Sequence, residues 1–499
     1  MSQRLSRPRS NALSAVAVAV GAAASAPALA APFSWSKAWT YDHLTTGVAG
    51  QTSEIASFDA QSKTLWVVGL KGVDVLDART GKLVEHIDTA GFGEANSVAI
   101  KNGVAAVAVA APLKTDAGAV RFYDTRTRSF TGSVGVGALP DMVTFTPDGS
   151  RLLVANEGEP TSAVDPRGSV SVIDMATRTV KATAGFSGVS FAGSHIRTFN
   201  GIKGGTTMDF EPEYITVNRA GTKAYVGLQE ANAIATLDLA TNKFTTVTGL
   251  GVKDFSVAKN ANGLSNFIDP NDQDGKIELR ATAAKGFYQP DGLASYTARD
   301  GLTYLVMANE GDGRADGQDE ARFGGSGDLS RLTVSTADST PTEAYAFGAR
   351  SFSIRSEAGD LVYDSGSLLD QMAIDLKLYD DGRSDNKGVE PEGVALLDLG
   401  GRTFAFIGLE RTLGSAIAVF DITNPTQASF VDMIVDAEDL SPEGLTGYRM
   451  GGQWYLAVAN EVSGTTSVFK VSAVPEPQTV ALMLAGLAAV GLGVRRRGR

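Results

Sequence analysis

The chain has 499 residues, 43% of them hydrophobic, with 56 glycines, no cysteine and a formal net charge of −12. The missing cysteine excludes disulfides, thiolate metal sites and a cysteine nucleophile. The acidic balance argues against nucleic acid, which is held by lysine and arginine against phosphate, and favours cations as partners.

Residues 1–30 carry Arg4, Arg7 and Arg9, then an apolar run from Ala12 to Ala24, and end on Ala28-Leu29-Ala30. A basic start, an apolar middle and a small-x-small step are the parts of a secretory signal peptide. Beyond it, Phe33, Trp35, Trp39 and Tyr41 fall on alternate positions, the period of a strand. From Glu54 onward, short apolar runs recur. Residues 390–422, EPEGVALLDLGGRTFAFIGLERTLGSAIAVFDI, hold three strand-length runs parted by Gly-Gly and Thr-Leu-Gly-Ser turns, and Ala428 to Ile434 adds a fourth. Aligned on this copy, seven units begin near Glu54, Asn96, Leu139, Glu211, Gln289, Glu390 and Ser441.

A period of about 40 residues with four strands per unit predicts an all-β, seven-bladed β-propeller, since one such sheet cannot bury both faces alone. A parallel β-solenoid or two sandwiches is the alternative. The seventh unit has only three strands, so segment 33–41 is expected to complete that last blade. Three stretches break the period, 186–210, 254–288 and 311–388, and the third includes a helix-like run at 367–381.

The far end, 474–499, passes from Pro475-Glu476-Pro477 through apolar residues 479–494 to Arg495, Arg496, Arg497 and Arg499. As a helix the apolar part would span about 24 Å, marginal for a bilayer, with the arginines on the cytoplasmic side. The three parts in this order resemble the PEP-CTERM sorting signal of Gram-negative bacteria. That resemblance implies transit across the inner membrane with transient anchoring, then removal of the tail by an exosortase. Delivery would be to the cell surface or into exopolysaccharide. A plain C-terminal membrane anchor is the alternative.

The body, roughly 35–472, carries LPDMVTFTPDGSRLLVANEGEP, QPDGLASY, YLVMANEGDGR, VEPEGVALL, FAFIGLER, DLSPEGL and VANEVSGTTSVF. These motifs resemble the choice-of-anchor I family, itself similar to the mesenchyme-specific cell-surface glycoproteins. The resemblance implies a secreted or surface β-propeller, here 31–473, between the leader at 1–30 and the sorting signal at 474–499. Some members bear an alkaline-phosphatase-like label, but no catalytic motif comes with it.

Within each unit the first strand starts at a P-E/D-G-like step and the second ends at an N-E or L-E step. Antiparallel neighbours bring those two ends to one edge of the sheet, so a ring of them should surround the propeller axis on one face. The first positions are Glu54, Asn96, Asp141, Glu213, Asp291, Glu392 and Glu443; the second are Lys71, Ala111, Glu157, Gln229, Glu310, Glu410 and Glu461. Ten of the fourteen are carboxylates. Crowded carboxylates suit a hard cation such as Ca²⁺, which takes six to eight oxygen ligands. The metal-ligand candidates are Asp141, Glu157, Glu213, Asp291, Glu310, Glu392, Glu410, Glu443 and Glu461. The competing readings are a purely structural clamp, each carboxylate accepting backbone N–H bonds, and protonation through raised pKa values. Asp269-Pro-Asn271-Asp272-Gln-Asp274-Gly275 fails the EF-hand pattern and reads as an Asp-rich turn.

No G-x-S-x-G elbow, P-loop or G-x-G-x-x-G occurs, and His43, His86 and His195 show no ligand spacing. The four tryptophans, 35, 39, 66 and 454, fall on strand patterns and read as core. Two functions remain. The first is a surface binding or matrix protein contacting polysaccharide or another protein. The second is a Ca²⁺-dependent phosphoesterase, similar in outline to β-propeller phytases, drawing on Lys71, Arg314, Arg322, Arg383 and Arg411. Arg411 with Glu410 is its best catalytic pair.

Overall fold

A computed structural model gives the fold and describes residues 33–161, 163–198, 210–314 and 319–474. The leader, the apolar tail and its arginines lie outside the described residues. Among those described, no helix is long and apolar enough to cross a membrane. The segment Pro32–Val474 is one compact unit.

The chain is all-β. Among the described residues there are eight sheets; six of them contain four antiparallel strands of one repeat, and a seventh contains three. Their first strands are Ala56–Asp59, Ala95–Lys101, Pro140–Phe145, Ile215–Val217, Leu293–Thr297, Pro391–Leu399 and Pro442–Met450. Each first strand packs on the next in the series, and Pro442–Met450 packs in turn on Ala56–Asp59. In the seventh sheet the fourth place is taken by Phe33–Asp42, antiparallel to Thr465–Ala473, with Phe33 opposite Ala473 and Asp42 opposite Thr465.

Stacking sheet on sheet explains the continuous apolar runs. A second strand such as Thr64–Gly69 is buried at every residue, because both its faces meet a neighbouring sheet. A fourth strand such as Thr179–Ala184 is mostly exposed and half polar. Phe33, Phe404, Phe406, Leu456 and Phe469 form one interlayer core. Leu65 and Val67 meet Tyr448, Ala457 and Val468 in another, between the first and seventh sheets. Each such large side chain contributes roughly 1.5–3 kcal/mol by leaving water. Trp66 is fully buried, and Trp35, Trp39 and Trp454 pack against these cores.

The repeated P-E-G step has a steric cause. A Cβ on Gly393 would lie 2.0 Å from the Glu443 carbonyl oxygen, and one on Gly444 2.0 Å from that of Glu54. First strands therefore approach so closely that only glycine fits there. The asparagine of the N-E step is structural: Asn156, Asn309 and Asn460 are fully buried. Asn156 donates to Ser171 Oγ at 2.9 Å, Ser353 Oγ donates to Asn309 at 3.1 Å and Ser415 Oγ donates to Asn460 at 2.7 Å.

A buried clasp joins the first and seventh sheets. Asp74 Oδ2 lies 2.6 Å from His43 Nδ1 and Asp74 Oδ1 lies 2.6 Å from His86 Nδ1, while His43 Nε2 lies 2.8 Å from Thr466 Oγ1. Burial raises the Asp74 pKa, but the two histidine hydrogen bonds outweigh it and hold the carboxyl below its usual range.

The interruptions differ from the expected boundaries. Ser351–Ser356 and Leu361–Asp364 are the third and fourth strands of the fifth repeat, so the span 311–388 is two insertions flanking them. Val252–Asp254, Ala284–Phe287, Glu320–Arg322, Thr333–Ser335 and Ala344–Ala346 make the eighth sheet. The helix at 367–381 is shorter than its pattern, Leu368–Asp375. In the first insertion Ser190–Ser194 runs parallel to Lys243–Leu250 as an added edge strand.

Candidate functional site: an acidic mouth

The strand registers place the two acidic steps at one edge. Pro140 faces Asn156, Pro391 faces Leu409 and Pro442 faces Asn460, and the register slips just after each proline. Such bulges re-aim a side chain, and the residue in each is Asp141, Glu392 or Glu443. The positions before these prolines, Leu139, Glu390 and Ser441, take left-handed φ of 45°, 50° and 62°. Non-glycine residues rarely hold that conformation, and it recurs here at functional-looking turns. The backbone N–H groups of Glu157, Glu410 and Glu461 donate to the carbonyls of Leu139, Glu390 and Ser441, each at 2.9 Å.

At the centre is a cavity of about 60 Å³ to which all seven repeats contribute, in or just before their first strands. Its polar lining is Asn96, Ser97, Asp141, Asp291, Glu392, Glu443 and Tyr214. Around it the remaining carboxylates fall into two groups. In one, Glu310, Glu390 and Glu410 present oxygens all within 4.8 Å of one another. There Lys387 Nζ stands 2.7 Å from Glu310 and 3.2 Å from Glu390, Arg411 Nη2 stands 2.7 Å from Glu410, and Arg383 Nε donates to Glu390 at 2.7 Å. In the other, Glu157, Glu211, Glu213 and Glu230 lie together. Arg314 Nη1 is 2.7 Å from Glu211, and Arg314 Nη2 is 3.7 Å from Asp165.

Burial and mutual repulsion both penalise ionisation here. Burial, then Glu159, pushes Asp141 up to about 7. Burial, followed by Glu461 and Asp141, lifts Glu54 to about 7, with the Thr52 hydroxyl opposing. Glu410 also rises to about 7 through burial and Glu310, and Glu230 to about 7 through burial and Asp312. Glu157, Glu213, Asp291, Glu392 and Glu443 rise well above the usual carboxylate range, burial first and neighbouring carboxylates second. Lys387 is the counterweight: burial opposes its charge, but Glu310 and Glu390 outweigh that and keep it protonated.

All nine sequence candidates thus stand at one edge. Asp141, Asp291, Glu392 and Glu443 line the cavity, Glu310 and Glu410 form the trio with Glu390, and Glu157 and Glu213 join Glu230. Glu461 acts electrostatically on Glu54 and Glu443. The clamp reading does not describe them: among the described residues no backbone N–H donates to these nine carboxylates; Glu213 shares a hydrogen bond with Glu230 and Glu392 with Asp291, and Glu443 Oε2 is buried without a partner. Sequence reasoning missed Glu211, Glu390, Glu230 and Lys387. Glu211 and Glu390 were legible, since E-P-E carries an acid on each side of the proline. Glu230 stands one place beyond the aligned Gln229, and Lys387 lies in an insertion that no repeat predicts.

The Asp-rich turn is neutralised by arginine. Asp269 Oδ1 accepts from Arg280 at 3.1 Å, Asp274 from Arg280 at 3.0 Å and Asp272 from Arg331 at 2.8 Å.

Among known proteins, the chain is 26% identical over 190 residues to Gigasin-3a of Magallana gigas, a match covering 30% of this chain and 66% of that protein's length. In fold it is similar to Kuenenia stuttgartiensis hydrazine synthase, with a TM-score of 0.50, 14% identity, and coverage of 85% of this chain and 97% of the other. The PEP-CTERM protein-sorting motif matches residues 473–497, a signal that implies recognition by exosortase-type processing. With the choice-of-anchor I domain it marks an exported, surface-associated protein. The choice-of-anchor I domain model matches residues 54–425, and the chain belongs to that family.

Proposed function

We propose that this is a surface-displayed binding or matrix protein, a seven-bladed β-propeller whose seventh blade is completed by Phe33–Asp42, and that its acidic mouth holds a small hard cation. Ca²⁺ fits best. The observation that carries this is the central cavity: about 60 Å³, lined by Asp141, Asp291, Glu392 and Glu443, with a buried, unpartnered oxygen on Glu443. The space is polar and large enough for an ion together with water. Carboxylates and waters are the ligands Ca²⁺ takes, and they would have to release their protons to bind it.

In this reading residues 1–30 are the leader, 31–473 the propeller and 474–499 a transient anchor removed on processing. The propeller face at the mouth and the long insertions meet polysaccharide or another protein. The phosphoesterase alternative gains no support from the mouth. Arg411 is engaged by Glu410, Arg314 by Glu211 and Arg322 Nη1 by Asp385 at 2.6 Å.

Calcium titration calorimetry on metal-stripped protein tests the ion. One tight site at pH 8, weakened in the Glu392→Gln/Glu443→Gln variant, is the expected result. No heat at any calcium concentration, in protein that melts normally, would refute it.

A further inference from the structure

The acidic mouth is flanked on one side by an arc of apolar loop tips. In each repeat the loop between second and third strands, and the loop leading to the next repeat, open at the mouth edge. In the sixth, seventh, first and second repeats these loops carry Leu413, Leu440, Val462, Leu44, Leu70, Phe92 and Leu113, between 37% and 63% exposed. At the opposite edge of those four sheets the exposed large apolar side chains are Phe130 and Val84, at the starts of two fourth strands. Phe33 and Ala473 are also at that opposite edge. The exposed apolar side chains of these sheets are therefore concentrated on the mouth face, where scattered exposed leucines would have no such preference.

Beside the mouth, under Leu70 and Leu113, lies a groove of about 750 Å³ whose walls include Ala111, Leu139, Glu94 and Lys71. It opens where the ring has Lys71 and Ala111 in place of carboxylates. Charge is unbalanced on this same side. Lys387, Arg383 and Arg411 neutralise Glu310, Glu390 and Glu410 on the side of the long insertions. Glu54, Glu94, Glu443 and Glu461 make no ion pair among the described residues. The mouth thus seats Lys387, Arg383 and Arg411 against carboxylates along one part of its rim, whereas Glu54, Glu94, Glu443 and Glu461 beside the groove have no cation paired to them, Lys71 and the Glu159-bound Lys114 being the groove's own cations.

We infer that this arc and groove form a docking surface for a polypeptide segment that carries lysine or arginine beside large apolar side chains. The basic groups pair with Glu94, Glu54 and Glu461, and an apolar side chain enters the groove between Leu70 and Leu113. The tips favour polypeptide over polysaccharide. Sugar faces stack on open aromatic rings, whereas six of these seven tips are aliphatic, and the Phe92 ring is covered by the Arg121 guanidinium at 3.6 Å. This rests on the binding reading of the mouth face and is independent of a bound ion.

The test uses the purified full-length protein at physiological salt and a fluorescent twelve-residue peptide of alternating lysine and leucine. Two control peptides replace every lysine by glutamate or every leucine by serine. The lysine–leucine peptide should bind at least ten-fold more tightly than either control, with or without EDTA. Leu70→Ser/Leu113→Ser should weaken it at least ten-fold, and Glu94→Gln/Glu461→Gln should flatten its salt dependence. Leu302→Ser, an equally exposed tip at the far edge, should change nothing. Equal binding of the serine peptide, or undiminished binding by Leu70→Ser/Leu113→Ser, would overturn the inference. So would displacement of the peptide by dextran, which would assign the face to saccharide. Self-association abolished by the same double variant would assign it to a second copy and overturn it too. Calcium titration on the same sample separates the two proposals: calcium binding without peptide binding defeats only the docking surface, and the converse defeats only the ion.

Discussion

The mouth should make stability depend on pH in a direction opposite to that of most acidic proteins. Glu410 is lifted from an ordinary 4.5 to about 7 by burial and by Glu310. Its folded pKa lies above its unfolded one, so between about pH 4.5 and 7 the folded state holds more protons. Stability therefore falls as pH rises through that window. One such group is worth about 3 kcal/mol across the window. Asp141, Glu54 and Glu230 share the direction, though neighbours that repel one another do not add in full. Urea unfolding in EDTA should thus give a stability at pH 5 at least about 3 kcal/mol above that at pH 8. Calcium should restore the difference at pH 8 and do little at pH 5, because an ion competes only for ionised carboxylates. Stability that rises from pH 5 to 8 in EDTA would refute the reasoning, and so would a Glu410→Gln variant with an unaltered pH profile.

Three further outcomes follow from the packing. Deleting residues 33–42 removes Phe33 from the interlayer core and strips Thr465–Ala473 of its partner, so melting should fall by roughly 10 °C or more; calorimetry on the truncated chain checks this. Lys387→Met leaves Glu310 and Glu390 facing each other without the ammonium between them and should cost about 3–5 kcal/mol in urea unfolding at pH 8. Adding Glu390→Gln should recover part of that loss. Gly393→Ala forces a methyl to within 2.0 Å of the Glu443 carbonyl and should cost about 3 kcal/mol, the upper end for overpacking. The same change at Gly452, where nothing lies within 4 Å, should cost less, its left-handed φ being the only penalty.

The repeats were legible because a strand buried on both faces has one chemical solution, the unbroken apolar run seen in Thr64–Gly69 and Arg402–Leu409. The edge at which the carboxylates gather was legible for the same reason: antiparallel pairing ties Pro391 to Leu409 whatever surrounds them. What balances the carboxylates was not. Lys387 and Arg383 come from an insertion without a period, and their approach to Glu390 depends on a path that includes the short helix Leu368–Asp375. The fifth repeat was misread because its third strand, Ser351–Ser356, begins some forty residues after its second, outside any regular spacing. The apolar tips were hidden for a simpler reason: a single leucine in a loop carries no pattern, and only the fold reveals that seven share one face.

The central claim is that one repeat after another brings its carboxylate to a common axis, where a cation sits. A crystal structure of the mature protein grown with calcium, with anomalous scattering measured at the mouth, tests it most directly. The account predicts a single peak within 2.3–2.6 Å of carboxylate oxygens drawn from Asp141, Asp291, Glu392 and Glu443. An axis that holds only water in saturating calcium, or those four side chains turned to different surfaces, would contradict it.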